Sequence, residues 1–251
     1  MQERLSDKSL RQIVSRISQS TDKVIAEVKS QDCVLNNVIE PFPDIKSLES
    51  FCVYYYWCGS ESVNVFQVIG TECPDYEGIA WIDMLKTGWK MPLNLRLLAQ
   101  NPIYYFENKK KEPDMHYTKI NDKIYIAREG NHRTAIAKVL FYYTGDTILH
   151  GIDFQEYKID FNLKERFEKL KEILFTKFPY IEAKIERKTV KREDTAGWMR
   201  EYYDISISLI NHRKHKSIII KADNLNSLIE ELNRYSFWKR IFVRSKVLSF
   251  L

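Results

Sequence analysis

The chain has 251 residues, a hydrophobic content of 44% and a net charge of +5, from 39 Lys and Arg against 34 Asp and Glu. This composition is typical of a packed globular protein and excludes wholesale disorder, and 8 glycines and 7 prolines are too few for long flexible linkers. No apolar run reaches the ~18 residues that span a bilayer, and the polar N-terminus MQERLSDKSLRQ is unlike a signal peptide. We therefore expect a cytoplasmic protein with no membrane partner.

Charge and cysteine are unevenly distributed along the chain. Residues 158–251 carry 21 Lys and Arg against 13 Asp and Glu, whereas the remainder carries 18 against 21. A basic C-terminal third favours contact with nucleic acid or another polyanion, and an ordinary lysine-rich solvated surface is the alternative. The four cysteines all lie in the first third without a C-x-x-C pair, which predicts reduced thiols and no metal site.

The first part of the chain is predicted to be largely helical. An apolar stripe of helical period over residues 5–29 predicts one helix, or two helices divided near Thr21. This stripe can either cover the core or pair with a second copy, so a homodimer through the terminal segments is possible. The spacing of Leu48, Phe51 and Tyr55 predicts a further helix that ends near Gly59, and residues 63–69 read as a strand.

The middle of the chain is predicted to alternate strands and helices. Residues 79–85 and 102–106 read as strands, and a helix over 93–100 begins after Pro92. The stretch KIYIAREGNHRTAIAKVL, residues 123–140, then predicts a strand, a tight turn at Gly130 and a helix from about Asn131. A strand over 148–157 follows.

The turn at Gly130 is the clearest candidate site. The first amide groups of a helix have no internal acceptors and carry roughly half a positive charge, and His132 and Arg133 add an imidazole and a guanidinium. A phosphate is the ligand that best suits such a turn. The simpler alternative is that Asn131 caps the helix and that Arg133 pairs with Glu129 or another carboxylate.

The run EGNHRTAIAKVLFYYTGDTILHGIDFQEY resembles the signature segment of the ParB/sulfiredoxin superfamily, with its acidic residue, G-x-H-R turn, helix, glycine turn and strand. The resemblance implies that the turn binds the phosphates of a nucleoside triphosphate, ATP or CTP, together with Mg²⁺. It implies catalytic roles for Glu129 and His132. It also implies nucleotide-binding roles for Gly130, Asn131, His132, Arg133 and Thr134.

Departures from the superfamily pattern narrow the possible chemistry. Asn131 stands where sulfiredoxins have the reactive cysteine, and an amide cannot form a sulfur–phosphoryl intermediate. One interpretation is a nucleotide hydrolase, nuclease or regulator that acts on or along DNA. Another is a small-molecule kinase of the free-serine type, with Glu129 as the base and His132 and Arg133 holding the phosphoryl group. A protein-binding module without catalysis is the third.

The last part of the chain is predicted to form a small basic module. Asn162 is the expected cap of a helix that runs to residue 178, and strands are predicted over 181–188, 202–210 and 217–222. The turn between the last two strands carries the predicted nucleic-acid contacts Arg213, Lys214 and Lys216. A final helix begins near residue 224 with Ser227 and Glu230 at capping-box spacing, and an aromatic and basic tail follows over 238–251.

These predictions together define an α+β protein. An N-terminal helical extension covers residues 1–75, a ParB/sulfiredoxin-like mixed core covers 76–159, and a basic α+β module covers 160–251.

Overall fold

The fold was determined from a computed structural model of the chain, which describes residues 7–234 and residue 250. The strands in chain order are β1 (Glu40–Pro41), β2 (Cys52–Asn64), β3 (Val68–Thr71), β4 (His116–Ile120), β5 (Lys123–Ile126), β6 (Ile148–Ile159), β7 (Ile181–Thr195), β8 (Trp198–Asn211) and β9 (Lys216–Lys221). The helices are α1 (Asp7–Gln19), α2 (Thr21–Lys29), α3 (Ile45–Leu48), α4 (Met84–Thr87), α5 (Met91–Gln100), α6 (Asn131–Thr144), α7 (Phe161–Lys177) and α8 (Leu225–Arg234). The predicted α+β class is confirmed.

The described residues form two compact units. The first unit comprises residues 7–43, 56–156 and 194–199, and the second comprises residues 44–55, 157–193 and 200–234 with residue 250. Strands β2 and β6 contribute residues to both units. The ParB/sulfiredoxin-like identity of the core stays a prediction, since only the mixed α+β character is confirmed.

The first unit is built on a mixed sheet with the strand order β1-β3-β5-β4-β6-β2. Strand β3 runs parallel to β1 and β5, whereas β4 and β5 form an antiparallel pair. The predicted division of the N-terminal stripe is confirmed, because α1 ends at Gln19 and α2 begins at Thr21. The apolar faces of α1 and α2 are buried in this unit, so the stripe covers a core.

Helix α6 lies at the centre of this core, and its residues are buried on almost every side. The predicted helix is confirmed, and it ends at Gly145, which adopts the left-handed conformation with φ +81°. Lys138 is fully buried on α6 and donates a hydrogen bond from Nζ to the Val68 carbonyl oxygen at 2.8 Å. Because β3 carries Val68, this lysine fixes the middle of α6 to the sheet.

Three elements predicted between residues 48 and 106 are wrong. The residues predicted as a helix ending near Gly59 belong instead to the long strand β2. Aromatic and β-branched residues favour strands, where their side chains pack across neighbouring strands, as the rings of Tyr56 and Phe154 do. The predicted strand over 79–85 is a 3₁₀ turn followed by α4, which buries Trp81 and Met84. The predicted strand over 102–106 is a 3₁₀ turn that Pro102 begins. The strand predicted over 63–69 is interrupted by a 3₁₀ turn between β2 and β3.

The second unit combines α7 and α8 with β7, β8 and β9. Strand β8 lies beside β7 and forms an antiparallel pair with β9, as the alternating pattern predicts. The predicted cap of α7 is wrong: the Asp160 carboxylate accepts a hydrogen bond from the Leu163 amide at 2.8 Å, and Asn162 lies inside the helix. Ser227 likewise lies inside α8, so the predicted capping box is wrong.

No helix in the described ranges is both long enough and apolar enough to cross a bilayer. The predicted aromatic and basic tail lies outside the described residues, apart from Phe250.

Candidate functional site

The turn between β5 and α6 has a backbone that only glycine tolerates easily. Gly130 has φ +126° and is the N-cap residue of α6, and no side chain caps the helix. Arg128 also has a positive φ, of 66°, and its amide donates to a Glu72 carboxylate oxygen at 3.1 Å. The turn is therefore a tight, defined loop that leaves the first amide groups of α6 without side-chain acceptors.

Two predicted site residues of α6 are buried. The Thr134 hydroxyl donates to the Gly130 carbonyl oxygen at 2.8 Å and accepts from the Tyr117 hydroxyl at 2.7 Å, so Thr134 stabilises the turn from within. Asn131 is only 8% exposed, and its Oδ1 accepts a hydrogen bond from the Thr71 hydroxyl at 2.6 Å. Among the described residues, none accepts a hydrogen bond from the Asn131 side-chain nitrogen.

A cavity of about 480 Å³ opens beside this turn, within the first unit. Its apolar wall comes mainly from α5 and from the residues that flank this helix, including Trp89, Leu93, Leu97, Tyr104 and Tyr105. Its polar wall comes from the turn and from the residues that face it, including Lys90, Glu112, Arg128, Glu129, Gly130, Asn131, His132 and Arg133. The structure thus brings together four of the five predicted nucleotide-binding residues around one cavity, and Thr134 lies behind them.

Arg133 is held by uncharged oxygen atoms. Its Nη1 donates to the Tyr104 hydroxyl at 2.8 Å and to the Pro113 carbonyl oxygen, and its Nη2 donates to the Asp114 carbonyl oxygen at 2.7 Å. Among the described residues, no carboxylate forms an ion pair with Arg133, so the alternative pairing with Glu129 is not observed. The positive charge at the cavity wall is therefore not neutralised by direct contact.

His132 accepts hydrogen bonds at Nε2. The Tyr76 hydroxyl lies 3.0 Å from this atom, and the Lys90 amide donates to it at 3.3 Å. Burial lowers the pKa of His132, and the positive charge of Lys90 lowers it further. The neutral imidazole is therefore favoured, with its proton on Nδ1. Gly88 permits this arrangement, because a Cβ there would lie 2.8 Å from the Cδ2 atom of His132.

Glu129, the other predicted catalytic residue, is an exposed side chain at the edge of the cavity. Its backbone oxygen accepts a hydrogen bond from the His116 amide at 3.0 Å, which ties the turn to β4. A carboxylate in this position can reach solvent and a bound ligand alike.

The predicted nucleic-acid contacts form the turn between β8 and β9 in the second unit. Arg213, Lys214 and Lys216 are all exposed. The side-chain oxygen of Asn211 accepts hydrogen bonds from the Arg213 and Lys214 amides at 3.0 Å, and the Arg213 guanidinium lies over the Tyr180 ring at 4.2 Å. The predicted turn is confirmed, and its role stays a prediction.

Sequence reasoning missed the cationic side chains of Lys90 and Arg128 at the cavity. Arg128 directly precedes the predicted motif, so its position was the available signal. It also missed a cluster in which one side-chain atom of each of Asp114, His116 and Asp153 lies within 4.8 Å of the others. The D-x-H spacing of Asp114 and His116 is visible in the sequence, but Asp153 lies on β6, which is far from them along the chain.

Comparison with known proteins gives this chain no relative: no protein-family model, no curated protein and no solved structure matches it.

Proposed function

We propose that the protein binds a nucleoside triphosphate in the cavity beside α6, with the phosphates at the turn that Gly130 forms. The observation that carries the proposal is the uncapped start of α6 together with the side-chain nitrogen of Asn131, which lies at the cavity wall and donates to no described residue. This nitrogen is accessible from the cavity, so it and the first amide groups of α6 are donors that a bound ligand can use. A phosphate oxygen supplies the missing acceptor to both the side chain and the helix amides.

The charges that line the cavity favour an anionic ligand. Lys90, Arg128 and Arg133 supply three positive charges, and Glu112 and Glu129 supply two negative ones. The N-terminus of α6 adds the equivalent of about half a positive charge. The Nη1 and Nη2 groups of Arg133 already donate to Tyr104 and to the 113–114 backbone. Arg133 therefore attracts an anion through its charge and not through a direct hydrogen bond.

The apolar wall suits the base and ribose of a nucleotide. Trp89 is 71% exposed and Leu93 is 47% exposed, although both line the cavity. Stacking of a base on an aromatic ring contributes about 1–3 kcal/mol. The cavity volume of about 480 Å³ also lies in the range typical of small-ligand sites, roughly 300–1,000 Å³.

The cofactors that the superfamily resemblance implies are compatible with these residues. ATP and CTP differ in the base, which the apolar wall would contact, and share the triphosphate that the turn would hold. Mg²⁺ usually binds through one or two carboxylates together with phosphate oxygens, and Glu112 and Glu129 are the carboxylates at the cavity. When bound, Mg²⁺ would screen the charge of the phosphates.

Isothermal titration calorimetry with ATP, ADP, CTP and GTP in the presence of Mg²⁺ tests the proposal. We expect at least one of the four nucleotides to bind with one molecule per chain. The Arg128→Ala variant should bind that nucleotide at least tenfold more weakly. Arg96→Ala is the matched control, because Arg96 is exposed on α5 and is not among the residues that line the cavity. Absence of binding by all four nucleotides, or an equal loss in the two variants, would refute the assignment.

DNA is the proposed macromolecular ligand because the 212–216 turn presents Arg213, Lys214 and Lys216 to solvent. Contacts to several phosphates make affinity fall steeply with salt. Replacing the three residues by alanine should weaken duplex binding and flatten its salt dependence, without changing nucleotide affinity. Unchanged DNA retention by this triple variant would exclude the turn as the contact.

A small-molecule kinase is the alternative activity, favoured by the exposed carboxylate of Glu129 at the edge of the cavity. In that case Glu129 accepts the proton of an attacking hydroxyl group. Transfer of phosphate from ATP or ADP to free serine without DNA, lost in Glu129→Gln, would support the kinase. DNA-dependent nucleotide hydrolysis would support the first function instead.

A further inference from the structure

A cluster of three side chains lies outside the nucleotide cavity in the first unit. Asp114 lies two positions before His116, which begins β4, and Asp153 belongs to the neighbouring strand β6. One side-chain oxygen or nitrogen atom of each lies within 4.8 Å of those of the other two, and all three residues are half-buried. None of the three lines the cavity beside α6.

The position of Asp153 is fixed from outside the cluster. The indole Nε1 of Trp57, on β2, donates a hydrogen bond to Asp153 Oδ1 at 3.0 Å. The other oxygen, Oδ2, lies 3.5 Å from His116 Nδ1. A ligand carboxylate in a metal site is commonly oriented by such a hydrogen bond from a neighbouring group. Trp57 therefore leaves one oxygen of Asp153 directed at the other two side chains.

The backbone holds the ligand-bearing segments in place. The Asp153 amide donates to the Met115 carbonyl oxygen at 3.0 Å, which joins β6 to the residue between Asp114 and His116. Arg133 Nη2 donates to the Asp114 carbonyl oxygen at 2.7 Å. Since these contacts restrain the backbone, small rotations of three side chains are enough to close the cluster around an ion.

The charges of the cluster favour a cation between the side chains. Two carboxylates brought this close repel each other, and a divalent ion converts that repulsion into attraction. Lys110 Nζ lies 3.3 Å from Asp114 Oδ1, but these side chains are 50% and 40% exposed, so solvent weakens the ion pair and an entering ion can displace it at small cost.

We propose that Asp114, His116 and Asp153 bind a divalent transition-metal ion, Zn²⁺ or Mn²⁺, through Oδ, Nδ1 and Oδ2 atoms respectively. A mixed set of one imidazole and two carboxylates suits these ions better than Mg²⁺, which prefers oxygen ligands. Ligand atoms in a tetrahedral zinc site lie about 3.4 Å apart for bond lengths near 2.1 Å, so the cluster needs only a modest contraction. Water would complete the coordination, because half-burial leaves one side open.

Calorimetric titration of the full chain, stripped with EDTA and free of nucleotide, with ZnCl₂, MnCl₂ and MgCl₂ tests this site. We expect one Zn²⁺ or Mn²⁺ ion per chain and much weaker Mg²⁺ binding. Asp153→Asn and Asp114→Asn should each weaken the ion at least tenfold, and the more exposed Asp114 serves as the second variant if the first fails to fold. Trp57→Phe should weaken it about tenfold through the orientation of Asp153.

Two control variants separate this cluster from other sites for metal. His150→Gln removes a half-buried histidine of β6 that pairs with Ser62, and it should leave affinity unchanged, whereas His116→Gln should abolish binding. Lys110→Ala should leave affinity unchanged or raise it, because it removes the competing cation. Equal Zn²⁺ affinity in His116→Gln and the parent protein, or loss in His150→Gln instead, would overturn the proposal. Because these titrations contain no nucleotide, either result leaves the separate test of nucleotide binding open.

Discussion

Replacing Lys138 by methionine tests how the core holds α6. Burial lowers the pKa of Lys138 from 10.5 to about 7, because the charged ammonium is poorly solvated among apolar side chains. The Trp81 ring, whose centroid lies 4.5 Å from Nζ, attracts the charged form and offsets part of this penalty. A pKa difference of about 3.5 between the unfolded and native states corresponds to a free energy on the order of 5 kcal/mol.

The sign of the pH dependence follows from which state binds more protons. Below pH 7 both states carry the proton, so the native protein bears the full penalty. Between pH 7 and 10.5 the native state releases its proton while the unfolded state keeps it, so stability rises with pH by up to about 1.4 kcal/mol per unit. Above pH 10.5 both states are neutral, so the penalty is absent and stability no longer depends on the titration of this lysine.

Urea unfolding of the parent protein and of Lys138→Met at pH 7, 8 and 9 measures this effect. As the pH rises, the free energy of unfolding of the parent protein should increase relative to that of Lys138→Met by about 1 kcal/mol per pH unit. The hydrogen bond to Val68 that methionine lacks is a constant cost, and other titrations cancel in the difference. Lys23→Met, on the exposed face of α2, should show no such slope. A difference that stays constant from pH 7 to 9 would refute the buried-lysine argument.

Four further variants test the turn, the approach of His132 to Gly88 and the start of α7. Gly130→Ala should destabilise the protein by about 1–3 kcal/mol in urea unfolding because φ is +126°, and a stability equal to the parent would contradict the turn geometry. Gly88→Ala should displace the imidazole of His132, seen as a shift of its NMR signals, and weaken nucleotide binding; unchanged signals would contradict the close approach. Asp160→Ala should cost about 1 kcal/mol and Asn162→Ala should cost little, and the reverse order would restore the cap predicted from sequence.

The sequence predicted the centre of the first unit well because local signals there agree with tertiary packing. Three local signals agree there: residues 123–126 alternate in polarity, Gly130 allows a tight turn, and apolar residues recur at helical spacing after it. The structure has the corresponding strand β5 and helix α6. The aromatic run in β2 failed for the opposite reason. Helical spacing of Phe51 and Tyr55 is accidental there, and packing against neighbouring strands overrides it.

The candidate site could be predicted only in part. The residues of the turn are contiguous in sequence, so their proximity was certain before the fold was known. The apolar wall that α5 contributes depends on the way α5 packs against α6, which no local pattern encodes. The same holds for Asp153, which reaches Asp114 and His116 only because β6 lies beside β4.

The guanidinium of Arg133 connects the two proposed sites, because Arg133 lines the cavity and its Nη2 donates to the carbonyl oxygen of Asp114. A phosphate bound directly by Arg133 would take donors away from the 113–114 backbone, and the carbonyl oxygen of Asp114 would then lose this hydrogen bond. If both proposed sites bind their ligands, this exchange of hydrogen bonds would make occupancy at one change the free energy of occupancy at the other. By thermodynamic reciprocity, the factor by which nucleotide alters metal affinity must equal the factor by which metal alters nucleotide affinity.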